Sequence, residues 1–186
     1  SAKWDDVRCK AAAMFAFYTG ARLGEVRGIR WKNVHLDEGF VDIVENYVDE
    51  DGLKEPKWGS LREGVDIPDV LVEELRDVLR VSRWGSESER FVFFDIDSPN
   101  VPAGKGVLTG GLKQVCQSLD IAGRTFHSLR HSFITHFGPH MRPAELRYLV
   151  GHSNEATTER YQHRTEEGRK AIRAAQSNIL PFPESQ

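Results

Sequence analysis

Apolar residues recur at every third or fourth position in several segments, and this spacing places them along one face of an α-helix. Gly20 and Gly151 follow two of these segments, and a glycine at such a place commonly ends a helix in the left-handed conformation. Pro143 is well placed for the first turn of a short helix. We predict helices over 4–18, 22–29, 69–83, 108–119, 126–137, 144–150, 155–163 and 166–180.

Between the second and third helices the pattern changes to short β-branched and aromatic runs, which indicate strands. NVHLD at 33–37 and FVDIVENYV at 40–48 are separated by a turn, and REGVDI at 62–67 alternates polar and apolar residues. We predict that these runs form a small three-stranded antiparallel sheet with one face exposed. The turn before the last run places Lys57 at the tip of a hairpin. The expected fold class is therefore α+β, mainly α-helical.

The composition favours one globular domain over residues 1–186, because 39% of the residues are hydrophobic and can form a sizeable core. No run approaches the roughly 20 apolar residues of a membrane span, so we expect no membrane partner. Cys9 and Cys116 lie far apart, and neither belongs to a paired motif. This argues against a disulfide framework or a zinc cluster and favours a reducing compartment.

The net charge of −3 argues at first against a nucleic-acid partner, but the charge is unevenly distributed. Residues 120–173 contain nine Lys/Arg against six Asp/Glu, and six of the seven histidines. Residues 1–60 contain nine Lys/Arg against eleven Asp/Glu. The second half of the chain can therefore form a modest basic face, which does not imply tight non-specific DNA binding by itself.

One basic residue lies where a surface charge is not expected. On a helical wheel, the apolar residues of 126–137 fall within an arc of about 140°. Arg130 lies inside this arc, and His127 flanks it. A charge placed there is costly unless it pairs with a carboxylate or faces an anion in a cleft. The residues alone leave both interpretations open.

Other combinations of polar residues do not complete a known ligand set. His127 and His131 are four apart, as metal ligands can be, but Ser128 occupies the place of the glutamate of zinc proteases. Gly104-Lys105-Gly106 lacks the preceding strand and the full spacing of a phosphate-binding loop. We therefore predict no metal site and no cofactor.

Three further positions carry groups suited to acid–base or nucleophilic chemistry. Glu25 follows Arg22 by three residues, so on a helix it can hold the guanidinium in place or form an ordinary surface ion pair. His152 lies at the end of a predicted short helix, where its ring can point into a cleft. Tyr161 shares a helix side with small threonines that leave its hydroxyl accessible, although most tyrosines are packing residues.

Four short motifs, in this order, resemble the catalytic domain of the tyrosine recombinase (phage integrase) family. They are TGARLGE at 19–25, HSLRH at 127–131, VGHS at 150–153 and TTERY at 157–161. Each motif is short, but their order and spacing, with a hairpin between the first two, make the combination specific. The resemblance covers residues 3–165 and implies the DNA breaking-rejoining fold of that family.

The resemblance implies that six catalytic residues surround one DNA phosphate, with Glu25 as a supporting acid. Matched motif by motif, the six are Arg22, Lys57, His127, Arg130, His152 and Tyr161. Lys54 is the alternative to Lys57, because the hairpin is longer and more acidic than is usual in the family. In the implied mechanism, Tyr161 attacks phosphorus and forms a 3′-phosphotyrosyl link while a 5′-hydroxyl leaves, without metal or ATP.

The residue types agree with these implied roles. Two arginines can grip the non-bridging oxygens of a phosphodiester. Lys57 is the family's candidate for the acid that protonates the leaving oxygen, a contribution of about 10² to 10⁴-fold. His127 is suited to proton transfer with Tyr161, and His152 to a hydrogen bond with the phosphate.

The resemblance also implies partners and a setting. We expect specific recombination sites on double-stranded DNA as the substrate and a protein tetramer on that DNA, whereas the isolated domain should be a monomer. The sequence lacks the helical DNA-clamping domain that precedes the catalytic domain in the family, so weak, salt-sensitive DNA binding is expected. Residues 166–186 form a tail that can dock on its own domain or on a neighbouring protomer. The expected location is the nucleoid in the cytoplasm, for a prokaryotic or phage-encoded protein.

Two alternative functions remain open beside recombination. A type IB topoisomerase-like enzyme would share the mechanism but relax supercoils, although the His-x-x-Arg and Gly-His spacings are closer to those of recombinases. A DNA-binding module that has lost catalysis is the second alternative, and the six filled catalytic positions argue against it. A helical protein-interaction domain would leave Arg130 in its apolar stripe unexplained.

Overall fold

The computed structural model describes residues 3–56, 60–83, 85, 87–98, 100–121 and 123–151. These residues form the helices α1 (Val7–Thr19), α2 (Leu23–Gly28), α3 (Asp69–Val81), α4 (Lys105–Ser118), α5 (Phe126–Phe137) and α6 (Pro143–Leu149). They also form the strands β1 (Val34–His35), β2 (Phe40–Ile43), β3 (Asn46–Val48), β4 (Gly52–Lys54) and β5 (Arg62–Asp66). No helix among them is long and apolar enough to cross a membrane. The helices predicted over 155–163 and 166–180 lie outside the described residues.

Helix α1 is the centre of the core, because every residue from 11 to 19 is buried. It packs against α3, α4 and α5, and a helix that is apolar on all sides is expected to be enclosed in this way. The helix begins three residues later than predicted. Asp6 explains the difference, since its carboxylate accepts a hydrogen bond from the main-chain N–H of Arg8 at 2.8 Å and caps the first turn.

The predicted three-stranded antiparallel sheet is confirmed, with the strand order β1-β2-β5. The run predicted over 40–48 forms two strands, and only the first belongs to this sheet. Strand β2 ends at Ile43, and β3 begins at Asn46 and pairs with β4 in a separate two-stranded ribbon. A Cβ atom at Gly28 of α2 would lie only 3.0 Å from the Asn46 backbone. The chain therefore leaves the sheet to pack on α2, where a glycine permits the close approach.

Strand β5 contains one extra residue relative to β2. Val65 is opposite Val41, whereas Arg62 is opposite Ile43, so three steps along β5 match two along β2. Gly64 lies at this β-bulge with φ +62°, a conformation that favours glycine. Arg62 and Val65 are both buried as a result, although simple alternation would place them on opposite faces.

Helix α3 and segment 91–94 close the core around α1. Helix α3 matches the predicted helix to within two residues. The ring of Phe93 meets the edge of Phe15 at 5.9 Å between centroids, and the Phe93 carbonyl accepts a 2.7 Å hydrogen bond from the N–H of Ala103. Segment 91–94 is thus buried, and its ends form isolated bridges with Arg30 and Pro102. Helix α4 begins at Lys105, three residues earlier than predicted.

Helix α5 has the predicted bounds, and it packs against the carboxyl end of α1. Thr125 caps it, since the Thr125 hydroxyl accepts a hydrogen bond from the Ser128 N–H at 3.2 Å. Phe133 of α5 lies over Gly20, where an added Cβ atom would come within 2.7 Å of the ring. Gly20 also has φ +66°, as predicted for a helix-ending glycine. This contact brings Arg130, three residues before Phe133, to the same end of α1.

Candidate active site

Arg130 is a buried cation that bonds to main-chain oxygens. Only 6% of the residue is exposed. Its Nη1 donates to the Gly20 carbonyl at 2.6 Å, and its Nη2 donates to the Val150 carbonyl. Both acceptors follow helix ends, where carbonyl groups lack helical partners and carry the negative end of the helix dipole. Among the described residues, no carboxylate hydrogen-bonds to Arg130, so the interpretation as a core arginine paired with a carboxylate is not supported.

Arg62 of strand β5 makes a parallel bridge between the same two helix ends. Its side chain is fully buried. Its Nη1 donates to the Leu149 carbonyl at 2.6 Å and lies 3.4 Å from the Thr19 carbonyl, while its Nη2 donates to the carboxylate of Glu25. Burial lowers the pKa of Arg62, and the charge of Glu25 opposes this effect. Two guanidiniums therefore join the carboxyl ends of α1 and α6.

Glu25 links this buried pair to the surface. Its side chain is only 3% exposed. One carboxylate oxygen accepts a hydrogen bond from Arg22 Nη1 at 3.0 Å, and the other accepts from the Arg22 main-chain N–H at 2.8 Å and from Arg62. The interpretation of Arg22 and Glu25 as an ordinary surface ion pair is wrong, because the acid is buried. The Arg22 side chain is 45% exposed. The buried Glu25 therefore binds its guanidinium on the protein side, and the rest of the side chain is accessible to solvent.

The cluster carries more positive than negative charge. It contains three arginines and one carboxylate, which leaves an excess of two positive charges in a partly desolvated region. Burial, followed by repulsion from Arg22 and Arg62, lowers the pKa of Arg130 to about 10. Arg130 therefore stays a cation at neutral pH, and a bound anion would reduce the electrostatic repulsion within the cluster. An oxyanion such as a phosphodiester matches this requirement.

His127 lies in the first turn of α5, one turn before Arg130. The residue is exposed, and its ring meets the ring of His131 edge to face at 5.7 Å between centroids. Within the described part of the chain, no group of three metal-ligating side chains forms around these histidines or elsewhere. An exposed imidazole beside an arginine cluster is accessible for hydrogen bonding or proton transfer.

Three of the predicted site residues, Lys57, His152 and Tyr161, lie outside the described residues. The chain leading to His152 is described as far as Gly151, which has φ +58°. A Cβ atom at Gly151 would lie 3.2 Å from the Ser60 backbone, two residues before Arg62. Gly151, the last described residue before His152, therefore lies beside Ser60, shortly before strand β5. The structure thus brings together Arg22, Glu25 and Arg130.

The sequence predictions missed Arg62. Charged residues in a half-exposed strand ordinarily face solvent, and the partners of Arg62 lie up to 87 residues away in the chain. The signal that could have located it is Gly64 inside the strand, because an internal glycine often marks a β-bulge that changes which side chains are buried.

Comparison with known proteins finds a family model and curated relatives that match the chain. A sequence model described as Phage integrase family matches residues 1–167. The chain is 27% identical over 166 residues to tyrosine recombinase XerD of Halalkalibacterium halodurans, covering 86% of this chain and 50% of that protein. It is 26% identical over 159 residues to tyrosine recombinase XerC of Xylella fastidiosa, covering 84% and 49%. The chain spans about half the length of the curated relatives it matches.

Solved structures of integrases and recombinases share the fold. The integrase of mycobacterium phage Brujita superimposes with a TM-score of 0.66 at 18% identity, covering 100% of this chain and 56% of that one. XerA recombinase gives 0.62 at 22% identity, covering 95% and 59%. The Tn1549 transposon integrase in complex with circular intermediate DNA gives 0.63 at 21% identity, covering 87% and 57%. These likenesses confirm the predicted fold class.

The charge of the cluster predicts that an oxyanion binds the folded chain at Arg22. Sulfate should raise the thermal unfolding midpoint more than chloride at equal ionic strength, because only the folded state offers the site. At a sulfate concentration ten times the dissociation constant, the free energy of unfolding should increase by about 1.4 kcal/mol. The response is measured by differential scanning calorimetry across a sulfate titration.

The matched variants are Arg22→Gln and Arg76→Gln. Arg76 is also an exposed arginine with an acid three residues away, since its Nη1 lies 2.7 Å from Glu73. We expect Arg22→Gln to lose most of the response to sulfate and Arg76→Gln to retain it. An equal response of the two variants would place the bound anion elsewhere.

Proposed function

Because the chain belongs to the phage integrase family, we propose that it is the catalytic domain of a tyrosine-type site-specific DNA recombinase. The observation that carries the proposal is the arginine cluster. Arg22 bonds to the buried carboxylate of Glu25, and Arg130 lies close enough for its pKa to be affected by the charges of Arg22, Arg62 and Glu25, so the cluster has an excess of positive charge. A DNA phosphodiester carries one negative charge and gains a second as a nucleophile attacks phosphorus. A site with two excess positive charges is suited to that change.

Tyr161 is the proposed nucleophile. Its oxygen forms a bond to phosphorus, and the bond between phosphorus and the 5′-oxygen breaks, which leaves a 3′-phosphotyrosyl link and a 5′-hydroxyl. His127 accepts the tyrosine proton, and Lys57 donates a proton to the leaving 5′-oxygen. His152 hydrogen-bonds to the phosphate. A 5′-hydroxyl from another strand then reverses these steps and reseals the DNA, with no need for ATP or metal.

The structure favours Lys57 over Lys54 as the proposed general acid. Lys54 ends strand β4, and its ammonium lies 2.5 Å from the carboxylate of Asp51 in the adjoining turn. That ion pair is solvent-exposed, and it directs the Lys54 ammonium towards its own ribbon. Lys57 follows three residues later in the sequence, between β4 and β5.

The proposed substrate is double-stranded DNA that carries specific recombination sites. Integrase of Tn1549, which shares the fold, is known in complex with circular intermediate DNA, and by analogy we propose DNA binding for this chain. Exchange of strands between two duplexes requires several active sites, and we propose a tetramer on DNA. We also propose that the protein acts at the nucleoid.

Covalent trapping tests the proposed function. A duplex built from the DNA that flanks the encoding gene, nicked so that a short strand dissociates after cleavage, should form a protein–DNA adduct with the full-length protein. The adduct is measured on a denaturing gel. Tyr161→Phe should form none, and Arg22→Gln should form it about 10² to 10³ times more slowly.

Three outcomes are distinguishable in this experiment. Failure of the wild type to form an adduct on any flanking site would contradict the proposal and favour a DNA-binding module. Adducts with plasmid relaxation but without exchange between two sites would favour a topoisomerase-like enzyme. Adducts with two-site exchange would support the recombinase.

A second test separates the two lysines. Lys57→Ala should slow cleavage by about 10² to 10⁴-fold, because the leaving 5′-oxygen would lack its proton donor. Lys54→Ala is the matched control and should cleave at close to the wild-type rate. A substrate with sulfur at the leaving 5′ position needs no acid, so it should restore cleavage to Lys57→Ala but not to Arg22→Gln. If Lys54→Ala cleaves slowly instead and the sulfur substrate restores its cleavage, the general acid is Lys54.

A further inference from the structure

Arg62 is the largest of the fully buried side chains in the described residues, and no step of the proposed reaction uses it. We propose that Arg62 is a positioning residue that clamps Glu25 against Arg22 and ties the end of α6 to that pair. This inference rests on the proposed function, because it deepens the account of the same site. Since the Arg62 side chain has no exposed surface, it acts through its neighbours and not by touching DNA.

The first half of the clamp acts on Arg22. Both carboxylate oxygens of Glu25 accept hydrogen bonds from Arg22, and one of them also accepts a hydrogen bond from Arg62. Without Arg62, the buried carboxylate would lose one of its two cationic partners. The carboxylate could then rotate. The guanidinium of Arg22, whose side chain is 45% exposed, would lose the hydrogen bond that fixes its orientation. The orientation of Arg22 therefore depends on Arg62.

The second half acts on the carboxyl end of α6. Arg62 donates to the Leu149 carbonyl at 2.6 Å. On either side, the Tyr148 hydroxyl binds the main-chain N–H and carbonyl of Glu63 at 2.7 and 3.0 Å, and the Ser60 hydroxyl lies 3.5 Å from the Gly151 carbonyl. The start of β5 thus holds the end of α6 at several points. In the sequence, Gly151 is followed directly by His152, the proposed phosphate ligand.

An arginine suits this position better than a lysine or an apolar residue. Its planar fork directs donors at Glu25, Leu149 and Thr19 at once, which the single ammonium of a lysine cannot do with the same geometry. Burial of an ion pair adds little net stability compared with apolar packing. Stability alone therefore does not explain a buried arginine here, whereas positioning does.

Arg27 is the matched control, because it is another buried arginine that bonds to a main-chain carbonyl and a carboxylate. It is 5% exposed, its Nε donates to the Ala103 carbonyl at 3.0 Å, and its Nη2 lies 2.6 Å from Asp49. It belongs to α2, as Glu25 does, but its partner Asp49 lies between β3 and β4, and neither Asp49 nor Ala103 belongs to the arginine cluster. Its loss should destabilise the fold without changing the anion site.

The test compares Arg62→Met, Arg62→Lys and Arg27→Met by the dissociation constant for sulfate, measured by calorimetric titration of the chain. Arg62→Met should weaken sulfate binding about tenfold or more, and Arg62→Lys by an intermediate factor, because the lysine keeps the charge but not the fork. Arg27→Met should bind sulfate as the wild type does. In the full-length protein, Arg62→Met should slow single-turnover cleavage about 100-fold while DNA affinity changes less than about threefold.

Wild-type sulfate affinity in Arg62→Met, or equal loss in Arg62→Met and Arg27→Met, would overturn the proposal. If Arg62→Met does not fold, Arg62→Lys decides, and sulfate affinity equal to that of the wild type overturns it. The wild type also supplies a measurement that needs no variant. Sulfate should shift the side-chain NMR signals of Arg62 in arginine-labelled chain although it cannot touch them, and unchanged signals would contradict the clamp. The sulfate and NMR results stand even if the wild type cleaves no DNA, so the two proposals fail separately.

Discussion

Two buried guanidiniums between the carboxyl ends of α1 and α6 determine how the rest of the site is arranged. Arg130 spans the carbonyls of Gly20 and Val150, and Arg62 makes the parallel bridge to Leu149. Helix ends leave carbonyl groups without partners, and positive charge is favoured there. The two guanidiniums donate hydrogen bonds to these carbonyl groups, and the same bonds fix the positions of both arginine side chains.

This arrangement has an electrostatic cost that a bound anion would relieve. Three arginines face only one carboxylate, and burial together with their mutual repulsion lowers the pKa of Arg130 to about 10. A structure optimised only for stability would place apolar side chains in such a region. The excess charge is understandable if the site is completed by a phosphodiester whose negative charge increases during the reaction. In the proposed function, the positive charge that is costly in the protein alone would stabilise the charge that develops on the phosphodiester.

The parts of the site that depend on local pattern could be predicted from sequence. The bounds of α5 and the inward direction of Arg130 follow from helical periodicity, and the break at Gly20 follows from glycine at a helix end. Arg62 could not be found in this way, because a bulge at Gly64 alters which of its strand's side chains are buried. Its partners on α1, α2 and α6 come from distant parts of the chain. The burial of Glu25 does not follow from local pattern either, because its partner Arg62 lies 37 residues away in the chain.

A crystal of the chain soaked with tungstate gives the position of a bound oxyanion directly, through the anomalous scattering of tungsten. We expect a tungstate within hydrogen-bonding distance of the Arg22 guanidinium and beside Arg130, with Glu25 still bound to both Arg22 and Arg62. An ordered Arg22 turned away from Glu25, with no tungstate at the cluster, would contradict the claim that the buried arginines build a phosphate site.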